Sequence, residues 1–359
     1  MTTASASAVG PPPGMDIRLS SNESPFGPSP AAIEAARHTL DTAHLYPDDQ
    51  STALREAIAA HESITVEQVA VGTGSAALLM DAISHAAAGG TVLAFERSFI
   101  VYRLAAANVD AGYLEVSTGG PPSEPGPGYQ RDVDALLEQI DNATKVVVID
   151  NPGNPTGAHL TADALSSLID QTPEHVTVII DEAYHQFAAS QRGYATVAEL
   201  PVTHPRLLTL RTFSKAYALA GMRVGYLMGE ASLVGAIDAR RTRFNVAAAS
   251  QAAALAALAD LDHLQATVDG SVTGRDVMAA GLRDMGVPFT DGLGNFLTIE
   301  LGIASPPVVD AFARYGVGVR SLEPYDMLNQ IRVSVGIQAE VDGFLGAARD
   351  VLANVPSRQ

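Results

Sequence analysis

The sequence predicts an α/β protein: a large domain with a mostly parallel sheet between helices, then a smaller α+β domain at the C-terminal end. Three observations carry that expectation. The runs Lys145 to Asp150 and Val176 to Ile180 are apolar at nearly every position, as strands buried on both faces are. Strand-like and helix-like segments alternate up to Met228, which implies right-handed crossovers with helices on both faces. A length of 359 residues suffices for one large domain and a smaller one, each with a core.

In chain order, Met1 to Gly14 is made of small residues and prolines, with neither a basic start nor an apolar centre. Residues 1–16 read as a disordered tail, not a signal peptide. Residues 17–30 form an N-terminal arm. A helix follows from Pro30 to about Leu40, with Ser29 as N-cap and proline at its first position. His44 to Asp48 is a loop, and Ser51 opens a helix from Ala53 to His61. Val69 to Val71 is a strand that runs through Gly72-Thr73-Gly74-Ser75 into a helix from Ala76 to Ala87. Val92 to Phe95 is the next strand, and Ser98 to Arg103 follows it. Gly119 to Tyr129, rich in proline and glycine, is a surface loop, and Arg131 to Ile140 an amphipathic helix. The large domain spans residues 31–240 and the small one 241–359, with long helical structure from Ala231 to Ala259 between them. Val272 to Met285 is a further helix. Phe296 to Leu301, Val317 to Arg320 and Gln330 to Val335 are strands of the small domain, and Ala339 to Leu352 is its last helix.

Composition excludes some classes. The formal charge of −18, with no basic stripe, argues against nucleic-acid or anionic-membrane partners. The chain has no cysteine, so disulfides and thiolate metal sites are out; a cytoplasmic location is the default. No apolar run reaches membrane-spanning length; Ala247 to Leu261 comes nearest, and Ser250 and Gln251 within it mark a buried helix instead.

The chemistry concentrates in Arg211-Thr212-Phe213-Ser214-Lys215, followed by Arg223. Lys145 is the only other lysine, so an amine has been kept where arginine would not serve: it can lose its proton, attack a carbonyl and form a Schiff base. Thr212, Ser214 and Arg223 supply two hydroxyls and a permanently charged fork, a phosphate grip. An amine for an aldehyde beside a phosphate grip describes a pyridoxal 5′-phosphate site; an exposed surface lysine at a strand-to-helix turn is the plain alternative. Asp181-Glu182-Ala183-Tyr184 follows the buried run at Ile180, at the strand end where α/β sheets place ligands. Asn151-Pro152-Gly153-Asn154-Pro155-Thr156-Gly157 follows the other run, and the glycine turn before Ala76 offers helix amides to a phosphate.

In order and approximate spacing these segments resemble fold type I aminotransferases of class I and II, in their histidinol-phosphate aminotransferase branch, from Leu19 to Val351. The resemblance implies a seven-stranded-type sheet and a role for each motif. Lys215 holds the cofactor and shuttles a proton, Asp181 faces the pyridine nitrogen, and Asn154 and Tyr184 bond the ring's phenolic oxygen. Tyr102 stacks on the ring. The amides of Ser75, Ala76 and Ala77 grip the phosphate with Thr212, Ser214 and Arg223. Tyr46 reaches the same phosphate from a neighbouring subunit, so the active unit would be a homodimer with shared sites. Arg332 receives the substrate's acidic end; Arg320 joins it, and the arm around Asn22 lies across the mouth. The chain departs from the family at Ser24, where asparagine is usual, and at Ala76 and Ala77, where acids are usual.

The implied function is amino transfer between an amino acid, or an amino-alcohol phosphate, and a 2-oxo acid, with histidinol phosphate, an aromatic amino acid or a specialised amino acid as the donor. Alternatives are a decarboxylase resembling the threonine-phosphate enzymes, a non-catalytic cofactor-binding regulator, and, from Gly72-Thr73-Gly74, a nicotinamide enzyme. That last lacks the third glycine and a following ribose-binding acid.

Overall fold

The structure, a computed structural model, describes residues 16–191 and 193–353. The tail expected over residues 1–16 lies outside the described residues except for Asp16. Ile17–Arg18 (β1) opens the arm, and Pro30–His38 (α1) follows, capped by the Ser29 hydroxyl, which accepts from Ala31 N at 3.1 Å. Thr52–Glu62 (α2) is begun by Asp48 and not by Ser51: Asp48 Oδ2 accepts from Thr52 N at 2.7 Å, while Ser51 has φ +48° and no capping bond.

Seven strands build the large sheet. Val69–Gly72 (β2) leads into Ser75–Ala86 (α3), Thr91–Phe95 (β3) into Val101–Ala107 (α4), and Gly112–Val116 (β4) towards Val133–Leu137 (α5). Thr144–Asp150 (β5), Ala162–Gln171 (α6), Thr177–Asp181 (β6), His185–Ala188 (α7), Leu207–Thr212 (β7) and Gly225–Gly229 (β8) complete it. The order is β2-β8-β7-β6-β5-β3-β4, parallel except where β8 runs against β2 and β7. The apolar runs behave as their composition requires. Val146, Val148 and Ile179 pack into the core on one face, and Val147, Ile149, Val178 and Ile180 into the core on the other. Full burial of each such side chain contributes roughly 1.5–3 kcal/mol, so these central strands hold the sheet's polar ends in fixed places.

Two expectations change here. Helix α5 is half the expected length, because Arg131 turns inward and Asp132 caps the helix instead, its Oδ1 accepting from Ala135 N at 3.1 Å. The loop ending at Tyr129 is not wholly on the surface. Tyr129 is 1% exposed, its hydroxyl donates to Glu300 Oε1 at 2.7 Å, and Gly126 bridges to Thr290.

Beyond the sheet, the helical stretch expected from Ala231 to Ala259 is two helices, Ala231–Asp238 (α8) and Ala248–Ala259 (α9). Asp49 breaks it, pairing with Arg241 at 3.1 Å and Arg243 at 3.2 Å and accepting from Phe244 N, where φ is +56°. Leu261–Asp284 (α10) begins eleven residues before Val272, where its start was expected, capped by Asp260, which accepts from His263 N at 3.2 Å. Phe289–Thr290 (β9), Phe296–Glu300 (β10), Ser305–Arg314 (α11), Val317–Gly318 (β11), Arg320–Ser321 (β12), Gln330–Ser334 (β13) and Gln338–Ala353 (α12) follow. The order β12-β13-β10-β9 is antiparallel, and β1 of the arm pairs with β11. Among the described residues no helix is long and apolar enough to cross a membrane.

Candidate active site

A cavity of about 670 Å³ opens over the C-terminal ends of β5, β6 and β7, walled on its other side by the arm and by β12 and β13. Asp181 ends β6 on its floor. Burial, reinforced by the neighbouring Asp150 carboxylate, pushes the Asp181 carboxyl up to about 7, against donation from Ala183 N at 3.1 Å and the Tyr102 hydroxyl at 3.3 Å. Lys215 lies just past β7. Its Nζ donates to the carbonyls of Ser21 at 3.2 Å and Asn22 at 3.1 Å. Burial, and then the Arg332 charge, lower its ammonium to about 7.

The phosphate grip is built where β8 meets the start of α3. Ser214 N donates to Thr212 Oγ1 at 3.1 Å, and the two hydroxyls lie 3.0 Å apart. Arg223, at φ +55°, donates to the Ala220 carbonyl at 3.0 Å. Glycine is needed on both approaches. A Cβ at Gly225 would stand 2.4 Å from Ser75 N, and one at Gly74 would stand 2.8 Å from Arg223 Nη2. Ser75 and Ala76 line the cavity; Ala77 does not, and its amide is taken by the Gly74 carbonyl at 3.2 Å.

Opposite the grip, Asn154 Oδ1 accepts from Arg332 Nη1, and Arg332 Nη2 donates to the Ser20 carbonyl at 3.1 Å. Arg332 Nε is buried with no hydrogen-bond partner. Arg320 stands directly across the strand pair from Arg332 and lines the same cavity. Tyr184 accepts from Asn22 Nδ2 at 3.0 Å, and Asn22 Oδ1 accepts from Ser334 Oγ at 3.0 Å. The Asn22 side chain therefore ties the arm to Tyr184 and to β13 while lining the cavity.

One further expectation is corrected. Tyr102 does not line the cavity. It is fully enclosed in the core, because α4 begins at Val101 and turns position 102 inward; Phe99, in the turn before that helix, lines the cavity instead. Tyr46 is 81% exposed and stacks on Phe244 at 4.6 Å, outside the cavity of its own chain. Sequence reasoning also missed Asp150, Tyr325 and Glu23, which line the cavity. Asp150 carried a usable signal, since it ends a buried strand as Asp181 does.

A lysine past one central strand, a carboxylate ending the next and a grip of hydroxyls, helix amides and an arginine define a fold type I pyridoxal-phosphate enzyme. The chain belongs to the aminotransferase class I and II family, which it matches over residues 15–347. It is 38% identical over 338 residues to histidinol-phosphate aminotransferase 2 of Methylococcus capsulatus, covering 94% of this chain and 90% of that protein. It is 37% identical over 348 residues to histidinol-phosphate aminotransferase 2 of Pseudomonas fluorescens, covering 95% and 90%. Among solved structures, histidinol-phosphate aminotransferase of Sinorhizobium meliloti in complex with pyridoxal-5′-phosphate superposes with a TM-score of 0.83 at 26% identity, covering 95% of this chain and 92% of that one. The protein is a pyridoxal-phosphate-dependent aminotransferase, a reading these relatives favour over decarboxylation. The residues present fit the cofactor, from Ser75, Thr212, Ser214 and Arg223 together at the cavity wall to the buried acid and the amine near neutrality.

Proposed function

We propose that the protein moves the amino group of histidinol phosphate to a 2-oxo acid. The observation that carries this reading is the cross-strand pair Arg320 and Arg332, two like charges at the cavity wall with a buried Nε donor unpaired. Like charges directly opposite on a sheet repel, so the pair calls for an anion between or beside them, and two forks suit a phosphate. The histidinol-phosphate aminotransferases among its relatives support that choice of donor.

When bound, pyridoxal phosphate supplies an electron sink for the bond broken at the donor's α-carbon. The chain's own residues do the rest. Lys215, an amine near neutral pH, would hold the cofactor and, as a free amine, would serve as the base for the donor's α-proton. Asp181 keeps the ring nitrogen protonated. Asn154 and Tyr184 bond the phenolic oxygen, and Phe99 covers a ring face. The amides of Ser75 and Ala76, with Thr212, Ser214 and Arg223, hold the phosphate. Tyr46 serves the site of a second copy, giving a homodimer; the exposure of Leu40 and Leu45, 62% and 60%, supports a covered face there.

The test is turnover of purified protein with histidinol phosphate and a panel of 2-oxo acids, followed by the amino acid formed. Release of carbon dioxide without an amino-acid product, or activity only with donors lacking a phosphate, overturns the proposal.

A further inference from the structure

One buried ion pair at the cavity wall has no part in that reading. Arg131, in the turn before α5, and Asp150, the last residue of β5, have side chains 1% and 4% exposed. Arg131 donates to Asp150 Oδ1 and to the Asp150 carbonyl. The other carboxylate oxygen, Oδ2, accepts from the main-chain N–H of Phe99 at 3.1 Å and of Asn154 at 2.9 Å. One carboxylate thus holds the backbones of two cavity-lining residues that belong to different segments. Room has been made for the arrangement: a Cβ at Gly153 would stand 2.3 Å from Arg131 Nη2, and the guanidinium lies 5.6 Å from the Phe95 ring centre.

The geometry calls for a side-chain acceptor at this position, because the Asn154 amide is buried and the Phe99 amide partly so. An apolar residue would leave both donors unpaired. Yet Asp150 is the register partner of Asp181, and a second bare carboxylate there would be costly without Arg131. Around the pair stand Tyr102 of α4, Tyr113 of β4, Asp181 of β6, His159 before α6 and Tyr325 before β13.

We propose that Asp150, paired with Arg131, is a positioning residue that sets where Phe99 and Asn154 stand against the cofactor. The inference rests on the pyridoxal-phosphate reading. Three variants separate its parts. Arg131→Met leaves an uncompensated anion beside Asp181. The double variant Asp150→Asn with Arg131→Met keeps an acceptor for both amides and removes both charges. The double variant Asp150→Ala with Arg131→Met removes the acceptor as well.

Two quantities are read on each variant after loading: the dissociation constant of pyridoxal phosphate, and the pH midpoint of the visible absorbance of the lysine-bound cofactor. An added negative charge favours the protonated form, so Arg131→Met raises the midpoint by about one unit. The Asn–Met variant returns the midpoint to that of the parent with little change in affinity. The Ala–Met variant weakens cofactor binding about tenfold relative to Asn–Met, the worth of one lost hydrogen bond. If Arg131→Met does not fold, the comparison of the two neutral doubles decides. Parent-like midpoint and affinity in every folded variant, with only the melting temperature lowered, overturns the proposal. A parent protein with no visible band on loading overturns the cofactor reading instead.

Discussion

Asp181 and Lys215 are moved towards neutrality from opposite directions, because burial penalises whichever form is charged. For Asp181 the folded carboxyl holds its proton to about 7 against an ordinary 3.8. Between those values the unfolded chain has released a proton that the folded one keeps, so this group's contribution falls as pH rises through the window and is level above it. For Lys215 the folded ammonium is lost near 7 against 10.5, so its contribution rises with pH across that interval. We expect cofactor-free Asp181→Asn to gain stability over the parent between about pH 4 and about pH 7. Denaturant midpoints across that range check it, and a constant difference would place Asp181 in a solvated setting. Lys215→Ala should abolish turnover while still binding pyridoxal phosphate through Thr212, Ser214 and Arg223, with near-parent rates as the contrary result. Single side chains were legible where the chemistry restricts the residue type. Lysine, aspartate and arginine stood out, whereas Phe99 and Tyr102, three positions apart and both aromatic, could be told apart only by where α4 begins.

At the scale of elements, the β12–β13 pair brings Arg320 opposite Arg332, and the β8–α3 approach depends on the absence of a side chain at Gly225. A bidentate contact between an arginine and an anion in a closed site is worth roughly 2–4 kcal/mol, so Arg332→Ala should cost on the order of a hundredfold in kcat/KM, mostly through the donor's KM. Arg332→Lys should recover only part of that, because it keeps charge and loses the fork. An altered cofactor spectrum with unchanged donor kinetics would instead assign Arg332 to the fold. Gly225→Ala forces a Cβ against Ser75 N and should weaken cofactor binding by at least about tenfold; equilibrium titration with pyridoxal phosphate measures it, and unchanged affinity argues that α3 can shift freely. Buried strands were easy to place from composition, since a sheet covered on both faces needs apolar residues throughout. Helix ends were harder. Asp48, Asp132 and Asp260 each cap a helix at a point that propensity alone did not mark.

At the scale of the whole molecule, the arm closes the site by pairing β1 with β11 and by the Ser334 N–H donating to the Leu19 carbonyl at 2.8 Å. Tyr46 lies outside its own cavity with an exposed ring. If it completes the site of a second copy, mixing Lys215→Ala with Tyr46→Phe subunits should give heterodimers with one intact site and activity above either parent variant. Sedimentation that finds only an active monomer rules this out.

By itself the sequence determined the α/β class and the kind of cofactor, and it singled out Lys215 and Asp181 as the candidate amine and acid. Those follow from local facts: which residues are apolar in a run, and which functional groups a given chemistry needs. Only the tertiary structure decided that Phe99 and not Tyr102 faces the cavity, that Ala77 has no amide to offer, that Asn22 is bound to Tyr184 and Ser334, and that Arg131 neutralises Asp150 beside Asp181. Each is a pairing between residues distant in the chain or a choice of helix face, and burial and hydrogen-bond satisfaction settle such matters only once the strands are side by side.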